Sequence, residues 1–205
     1  MTSRVADGPT ADWRRGLPVL RGPRVWLREP VAADAPNLRR EICTPEVCEF
    51  LPPPPTTLAG VEHIIGVAAD WRRAGRGFCF AIVQAETDQA IGLIQFLGSR
   101  RKSAVNVSRF ARWEWGFAVG SGHWRQGFFT EAASMALAFA FETVRIRRVD
   151  GWVVAQNWRA NPALAKLGGQ ATLKHNARSP DGRVGDFVRW THRKTRGCNP
   201  RGDSG

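Results

Sequence analysis

The chain has 205 residues, 43% of them hydrophobic, and a formal net charge of +12 at pH 7. This length suits one domain with its own core, and the basic balance favours acidic partners such as nucleic acid, a polyphosphate cofactor or an acidic protein surface. Its four cysteines form no C-x-x-C pair, which argues against structural zinc, and no apolar run approaches the ~20 residues that span a membrane. With no signal-peptide pattern either, we expect a cytoplasmic protein without a metal site.

Predicted elements fill residues 19–194, which we treat as one domain between a mobile tail (1–18) and a disordered tail (195–205). The first half alternates short strands with amphipathic helices, because its apolar residues recur at spacings typical of each. Its predicted elements are a strand at 25–29, a helix at 33–43, a helical turn from 44, a helix at 57–74 and a strand hairpin at 78–85 and 90–97.

The most informative stretch is 112–141. Trp113, Trp115, Phe117 and Val119 alternate with smaller or polar residues, which predicts a strand, and a helix starts near Gly127 after a glycine-rich turn. The first turn of a helix leaves backbone N–H groups free at the positive end of its dipole. This arrangement predicts a phosphate site, although neither the Gly-Lys-Ser/Thr nor the G-x-G-x-x-G pattern is present.

The second half predicts three further strands and one helix. The strands are at 149–155, 171–174 and 187–191, and the helix is at 160–167. A basic segment, 98–108, is predicted to be an exposed loop. The order of elements indicates a mixed α/β fold with a largely antiparallel first half.

Two segments carry a family resemblance. Residues 124–132 (WRQGFFTEA) and 157–168 (NWRANPALAKLG) resemble the pyrophosphate loop and the N-x-R-S-x-x-x-L-x-K-L-G signature of the GNAT superfamily of N-acetyltransferases, and most of all its RimJ/RimL branch of ribosomal-protein N-terminal acetyltransferases. The resemblance implies a mostly antiparallel sheet of six to seven strands, splayed at its centre and flanked by about four helices.

The resemblance also implies acetyl-CoA as the donor. Its pyrophosphate would lie on the backbone amides of a segment comprising Arg125, Gln126, Gly127, Phe128, Phe129 and Thr130. The pantetheine arm would pair with the strand at Phe117, Ala118 and Val119 and would bond to Asn157. The amide of Phe117 would polarise the thioester carbonyl.

The implied reaction is direct attack by a primary amine, which must lose its proton to a base. Glu114 is the candidate, in an E-x-G pattern similar to that of the branch, and we expect burial between Trp113 and Trp115 to raise its pKa. The alternative is that Glu114 pairs with an arginine on a sheet face. Phe50, Trp71 and Trp115 are candidate acceptor contacts, whereas we expect His123 to be a solvated loop residue.

Four departures from the family pattern concern the same region. Phe129 replaces a small loop residue, and Ala160 replaces the serine proposed to protonate the thiolate. The chain has no Tyr to serve as the acid, with Leu164 in that region, and Gly169 replaces the usual Phe. The thiolate is therefore expected to leave unassisted or to take a proton from water.

Three functions stay open at this point. In the first, the acceptor is a protein N-terminus such as that of a ribosomal protein; in the second, it is a small amine such as an antibiotic, polyamine or amino acid. In the third, the chain is a non-catalytic acyl-CoA or nucleic-acid-binding module, although it shows no recognised nucleic-acid motif. The scaffold is compatible with a monomer or a homodimer.

Overall fold

A computed structural model describes residues 12–55, 57–99 and 112–194. Within these ranges the strands are β1 (Leu20–Arg21), β2 (Val25–Arg28), β3 (Gly77–Gln84), β4 (Gln89–Ser99), β5 (Arg112–Val119), β6 (Arg148–Val154), β7 (Gln170–Arg178) and β8 (Val184–Arg193). The helices are α1 (Ala35–Ile42), α2 (Pro45–Cys48), α3 (Leu58–Arg73), α4 (Phe128–Glu142) and α5 (Ala160–Lys166). Short 3-10 turns precede α1 and follow β5.

All eight strands form one sheet in the order β1-β2-β3-β4-β5-β6-β8-β7. Every neighbouring pair is antiparallel except β5 and β6, which α4 connects as a crossover helix. These two strands pair only at Trp113 with Val149 and at Glu114 with Asp150, and they separate beyond that point. The sheet therefore opens as a V between β5 and β6.

Helices cover both faces of the sheet. On one face α4 packs through alanines that are fully buried, which lets the helix approach the strands closely. Phe139 of this helix meets Phe78 and Phe80 edge to face at 5.3 and 5.2 Å. On the other face α1 and α3 bury Leu38 and Ile65 against β3 and β4.

The mixed, mostly antiparallel fold class is confirmed, with eight strands and five helices among the described residues where six to seven and about four were expected. The additional strand is β1, whose two residues are too few to show an alternating pattern. The last hairpin is also longer than predicted, because β7 and β8 extend to a turn after Arg178. Most of the predicted 98–108 loop lies outside the described residues.

Packing begins before residue 19. Trp13 is buried, and its ring meets that of Phe78 with centroids 5.7 Å apart. Arg72 also donates a hydrogen bond to the carbonyl oxygen of Arg14. The packed structure therefore includes residues assigned to the predicted tail, while residues 1–11 and 195–205 lie outside the described ranges. None of the described helices has the length and apolar character needed to cross a membrane.

Candidate active site

The opening between β5 and β6 is a cavity of about 470 Å³. One wall is the β5 strand from Trp115 to Val119, and the opposite wall is Gly151 to Val153 of β6. The start of α4 and the start of α5 close it on one side, and α2 with the residues after it closes the other. The predicted separation of β5 and β6 therefore forms a cavity that α2 and the first residues of α4 and α5 surround.

The hydrogen-bond pattern of β5 leaves backbone groups directed into this opening. Gly120 donates its N–H to the carbonyl oxygen of Ile91 at 2.9 Å, so the even-numbered residues of β5 bond to β4. The N–H and C=O of Phe117 and the N–H of Val119 consequently face β6, at positions beyond the two paired residues of that strand. The Val119 carbonyl is occupied, because the indole of Trp124 donates to it at 2.8 Å.

The first turn of α4 stands at the open end of the V. Gly127 precedes the helix with φ of 81°, a left-handed conformation that suits glycine, and Arg125 also has a positive φ of 61°. The free N–H groups of this turn and the positive end of the helix dipole are features that can hold an anion. The cavity includes Arg125, Gly127, Phe129 and Thr130 in its wall.

A contact that the sequence did not reveal holds this turn in place. The carboxylate of Glu131 accepts hydrogen bonds from the backbone amides of Arg24 and Val25 at 2.9 and 3.1 Å and from Nε of Arg24 at 2.8 Å. Arg24 also donates from Nη1 to the carbonyl oxygen of Gln126 at 2.6 Å. Burial acts to raise the pKa of Glu131, but these hydrogen bonds outweigh it and hold the pKa below its usual range.

A second unpredicted group is an arginine among aromatic rings. The guanidinium of Arg159 lies 4.5 Å from the ring centroid of Trp124 and 5.1 Å from those of Phe50 and Trp158. It also forms an ion pair with Glu49. Because Arg183 donates to the carbonyl oxygen of Phe50 at 2.9 Å, two arginines tie the segment after α2 to the cavity.

Asn157 has a structural task as well as a place in the wall. Its Oδ1 accepts from the backbone amides of Arg159 and Ala160 at 3.2 and 2.9 Å and so caps the start of α5. Asn161 donates from Nδ2 to the carbonyl oxygens of Val154 and Ala155, which anchors the end of β6 to α5. These amides help to keep β6 away from β5.

Glu114 lies at the closed end of the V, on the face opposite α4. Its strand partner Asp150 is buried and accepts from Arg148 and from the hydroxyl of Thr191 at 2.7 Å. Burial is the main cause that raises the pKa of Glu114, and the negative charges of Asp150 and Asp181 add to it. Trp113 and Trp115 face the other side of the sheet, so the neighbours in sequence do not supply this environment.

The structure brings most of the predicted site residues together. Ten of them line the cavity: Phe50, Trp115, Phe117, Ala118, Val119, Arg125, Gly127, Phe129, Thr130 and Asn157. Four are not in its wall. Gln126 bonds to the Gly122 carbonyl, Phe128 is buried in the core, Trp71 lies on α3, and Glu114 stands beyond Gly116 at the closed end. Whether each residue binds or reacts as predicted stays a prediction.

Two of the departures from the family pattern now have a structural account. The ring of Phe129 does not turn away from the opening but packs on Phe117, with centroids 4.3 Å apart, and lines the cavity. At Gly169 a Cβ atom would lie 2.7 Å from Nε2 of His192, whose buried ring occupies the adjoining space. Gly169 therefore accommodates a histidine from β8.

Comparison with known proteins agrees with this geometry. The model of the GNAT acetyltransferase domain matches residues 24–170. The uncharacterized N-acetyltransferase p20 of Bacillus licheniformis is 27% identical over 135 residues, which cover 65% of this chain and 72% of that protein. The chain belongs to the GNAT family, and it is an acyltransferase.

Solved structures show the same fold at lower identity. The ribosomal-protein-S5-alanine acetyltransferase of Vibrio fischeri has a TM-score of 0.71 at 14% identity, covering 85% of this chain and 96% of that one. RimJ of Mycobacterium smegmatis in complex with CoA-disulfide has a TM-score of 0.68 at 19% identity, covering 83% and 82%. At these identities the likeness concerns the fold.

Proposed function

We propose that the protein transfers an acetyl group from acetyl-CoA to a primary amine by direct attack. The observation that carries the proposal is the position of the free β5 edge at Phe117 next to the free helix N-terminus at Gly127. An extended arm that ends in a pyrophosphate can bind to both features, since the arm can pair with the strand edge and the phosphates can lie on the helix N-terminus. Coenzyme A supplies such an arm together with an activated acetyl thioester.

Residues of this chain fit that group. Backbone amides of the first turn of α4 would hold the pyrophosphate, and Arg125 adds a positive charge beside them. Phe117 N–H would polarise the acetyl carbonyl, and Val119 N–H and the Nδ2 group of Asn157 would orient the arm. Arg24, whose guanidinium lies near Gly127, would set the geometry of the loop.

Glu114 is our proposed base. It shares its sheet face with Gly116, which lines the cavity and contributes no side chain between the carboxylate and the cavity wall. Its raised pKa makes it a stronger proton acceptor than an exposed glutamate, which suits an amine near neutral pH. Because Glu114 is not in the wall itself, we expect one bridging water in the proton path.

The proposed acceptor is a protein N-terminus, as in the RimJ/RimL branch. The wall formed by Val47, Phe50 and Leu51 is apolar, and the described residues that line the cavity include no carboxylate. A polyamine or an aminoglycoside carries several positive charges and needs acidic partners, which these walls do not provide. A small neutral amine or an amino acid stays as the alternative acceptor.

A thiol-release assay tests the proposal. Purified protein with acetyl-CoA is given N-terminal peptides, amino acids and polyamines at equal concentration, and CoA affinity is measured separately. We expect turnover with a peptide, none with polyamines, and for Glu114→Gln a fall of about 100-fold in kcat at unchanged CoA affinity. Tight CoA binding without turnover of any amine would instead favour a non-catalytic binding module.

A further inference from the structure

The side chains of His123 and Glu41 are in contact at the rim of β5. Nε2 of His123 lies 3.3 Å from Oε2 of Glu41, and both side chains are about four-fifths buried, with exposures of 20% and 19%. His123 is the last residue of the 3-10 turn after β5 and lines the cavity, whereas Glu41 comes from α1 on the opposite side. Nε2 is the ring nitrogen in contact with the carboxylate, which leaves Nδ1 as the nitrogen that can accept a proton.

The residues around His123 and Glu41 leave room for this contact and hold it in place. A Cβ atom at Gly120 would collide with the Glu41 carboxylate, so the glycine admits it beside the imidazole. Arg40 bonds the other Glu41 oxygen at 3.3 Å, and Glu46 faces the same turn through Ser121. On the α4 side the neighbour is the ring of Phe128, 6.0 Å away between centroids.

The cavity wall contains few groups that can take a proton. Imidazole is the one side chain that ordinarily titrates between pH 5 and 8, and His123 is the one histidine among the described residues lining the cavity. The other ionisable groups there are Arg125, Arg159, Lys166 and Arg183, all cations. A carboxylate beside one ring nitrogen orients the imidazole and fixes its tautomer, as in catalytic His–carboxylate pairs.

We propose that His123, held by Glu41, removes the first proton from the acceptor ammonium before the attack. This inference rests on the proposed acetyl transfer. An ammonium must lose two protons: one goes to Nδ1 of His123 and then to solvent, and the other goes to Glu114 as the new C–N bond forms. The C–S bond breaks with its electron pair on sulfur, which takes a proton from water. Glu114 returns its proton to the hydroxide left behind, so the net release is one proton per turnover. In this role Glu41 is a positioning residue.

The pH dependence of His123→Gln tests this step. An α-amine with a pKa of about 7.8 is only about 5% neutral at pH 6.5 and almost fully neutral at pH 9.3. If the variant can use only the neutral amine, its kcat/KM should be about 20-fold below wild type at pH 6.5 and within twofold at pH 9.3. A loss of equal size at both pH values would overturn the proposal.

A binding measurement gives an independent readout. Calorimetry of acceptor peptide binding to the CoA-bound enzyme, at pH 6.5 in two buffers of different ionisation enthalpy, counts the protons released. Wild type should release fewer protons per peptide than His123→Gln, because His123 accepts protons that the variant must release to the buffer. Equal release from both proteins would also contradict the proposal.

Matched variants separate this role from folding. His175 pairs with Asp186 at 3.4 Å on the β7–β8 hairpin, outside the cavity wall, so His175→Gln should leave the pH profile unchanged. Glu41→Gln should move the acid limb of the profile and leave CoA affinity within twofold. A wild-type enzyme that acetylates no amine would refute the proposed function itself, whereas a pH-independent His123→Gln defect refutes only this inference.

Discussion

Replacing Glu131 by glutamine should weaken the contact between β2 and the first turn of α4. In the structure this carboxylate bonds two backbone amides and the Arg24 guanidinium, from a position that is 14% exposed. Glutamine keeps the shape and one acceptor oxygen but loses the charge. The variant therefore isolates the charged part of the contact.

The size of the effect follows from these contacts. Hydrogen bonds to a charged group contribute about 1.5–3 kcal/mol, and the half-exposed Arg24 side chain brings screening that lowers its share. We expect a loss of about 1–2 kcal/mol in the free energy of unfolding, which is roughly 3–6 °C in Tm for a chain of this length. CoA affinity should fall about fivefold, because Arg24 also holds the Gln126 carbonyl.

Urea denaturation of wild type, Glu131→Gln, Arg24→Gln and the double variant measures the coupling between the two side chains. Because the folded-state pKa of Glu131 is lowered, its contribution is present above the unfolded value near 4.3 and is lost as pH falls through the folded value. The difference between wild type and Glu131→Gln should therefore shrink on acidification. Strictly additive single effects, or a difference that persists at low pH, would refute the reasoning.

Three further changes have defined outcomes. Gly151→Ala places a Cβ 2.7 Å from Nε1 of Trp115 and should cost about 1–3 kcal/mol of stability in chemical denaturation, while Gly122→Ala, with no atom within 4 Å of its Cβ, serves as the control. Ala160→Ser restores a hydroxyl in the cavity wall and should raise kcat by up to about tenfold at unchanged CoA affinity in the thiol-release assay. Burial lowers the pKa of His192, so on acidification the unfolded state binds a proton before the folded state does. The stability of the wild type should therefore fall as pH drops below about 6.5. A His192→Leu variant should show a flatter dependence of stability on pH in chemical denaturation.

The sequence by itself determined the elements and the family. Local spacing was sufficient for α3, for the β3–β4 hairpin and for the strand, turn and helix at β5 and α4, because side-chain periodicity and glycine placement act over a few residues. Nine of the ten predicted site residues that line the cavity belong to two contiguous motifs and their neighbouring strand, and the tenth is Phe50. The two-residue strand β1 had no such signal.

Only the tertiary structure shows which charged groups that are far apart in the sequence contact each other. Arg24 and Glu131 are 107 residues apart in the chain, and neither spacing nor composition indicates that they touch. Burial is the main cause that raises the pKa of Glu114, and the charge of Asp150 on β6 adds to it. The tryptophans next to Glu114 in sequence do not supply this burial, because side chains alternate along a strand and theirs lie on the other face of the sheet.

The contact of His123 with Glu41 also depends on tertiary packing. Its place after a glycine-rich turn suggested a solvated residue, and the α1 helix supplies the carboxylate that pairs with it. A sequence records which groups are present and how they are spaced along one element. Which charged groups interact depends on how the elements pack, because the electrostatic energy of two groups depends on their distance in the folded structure.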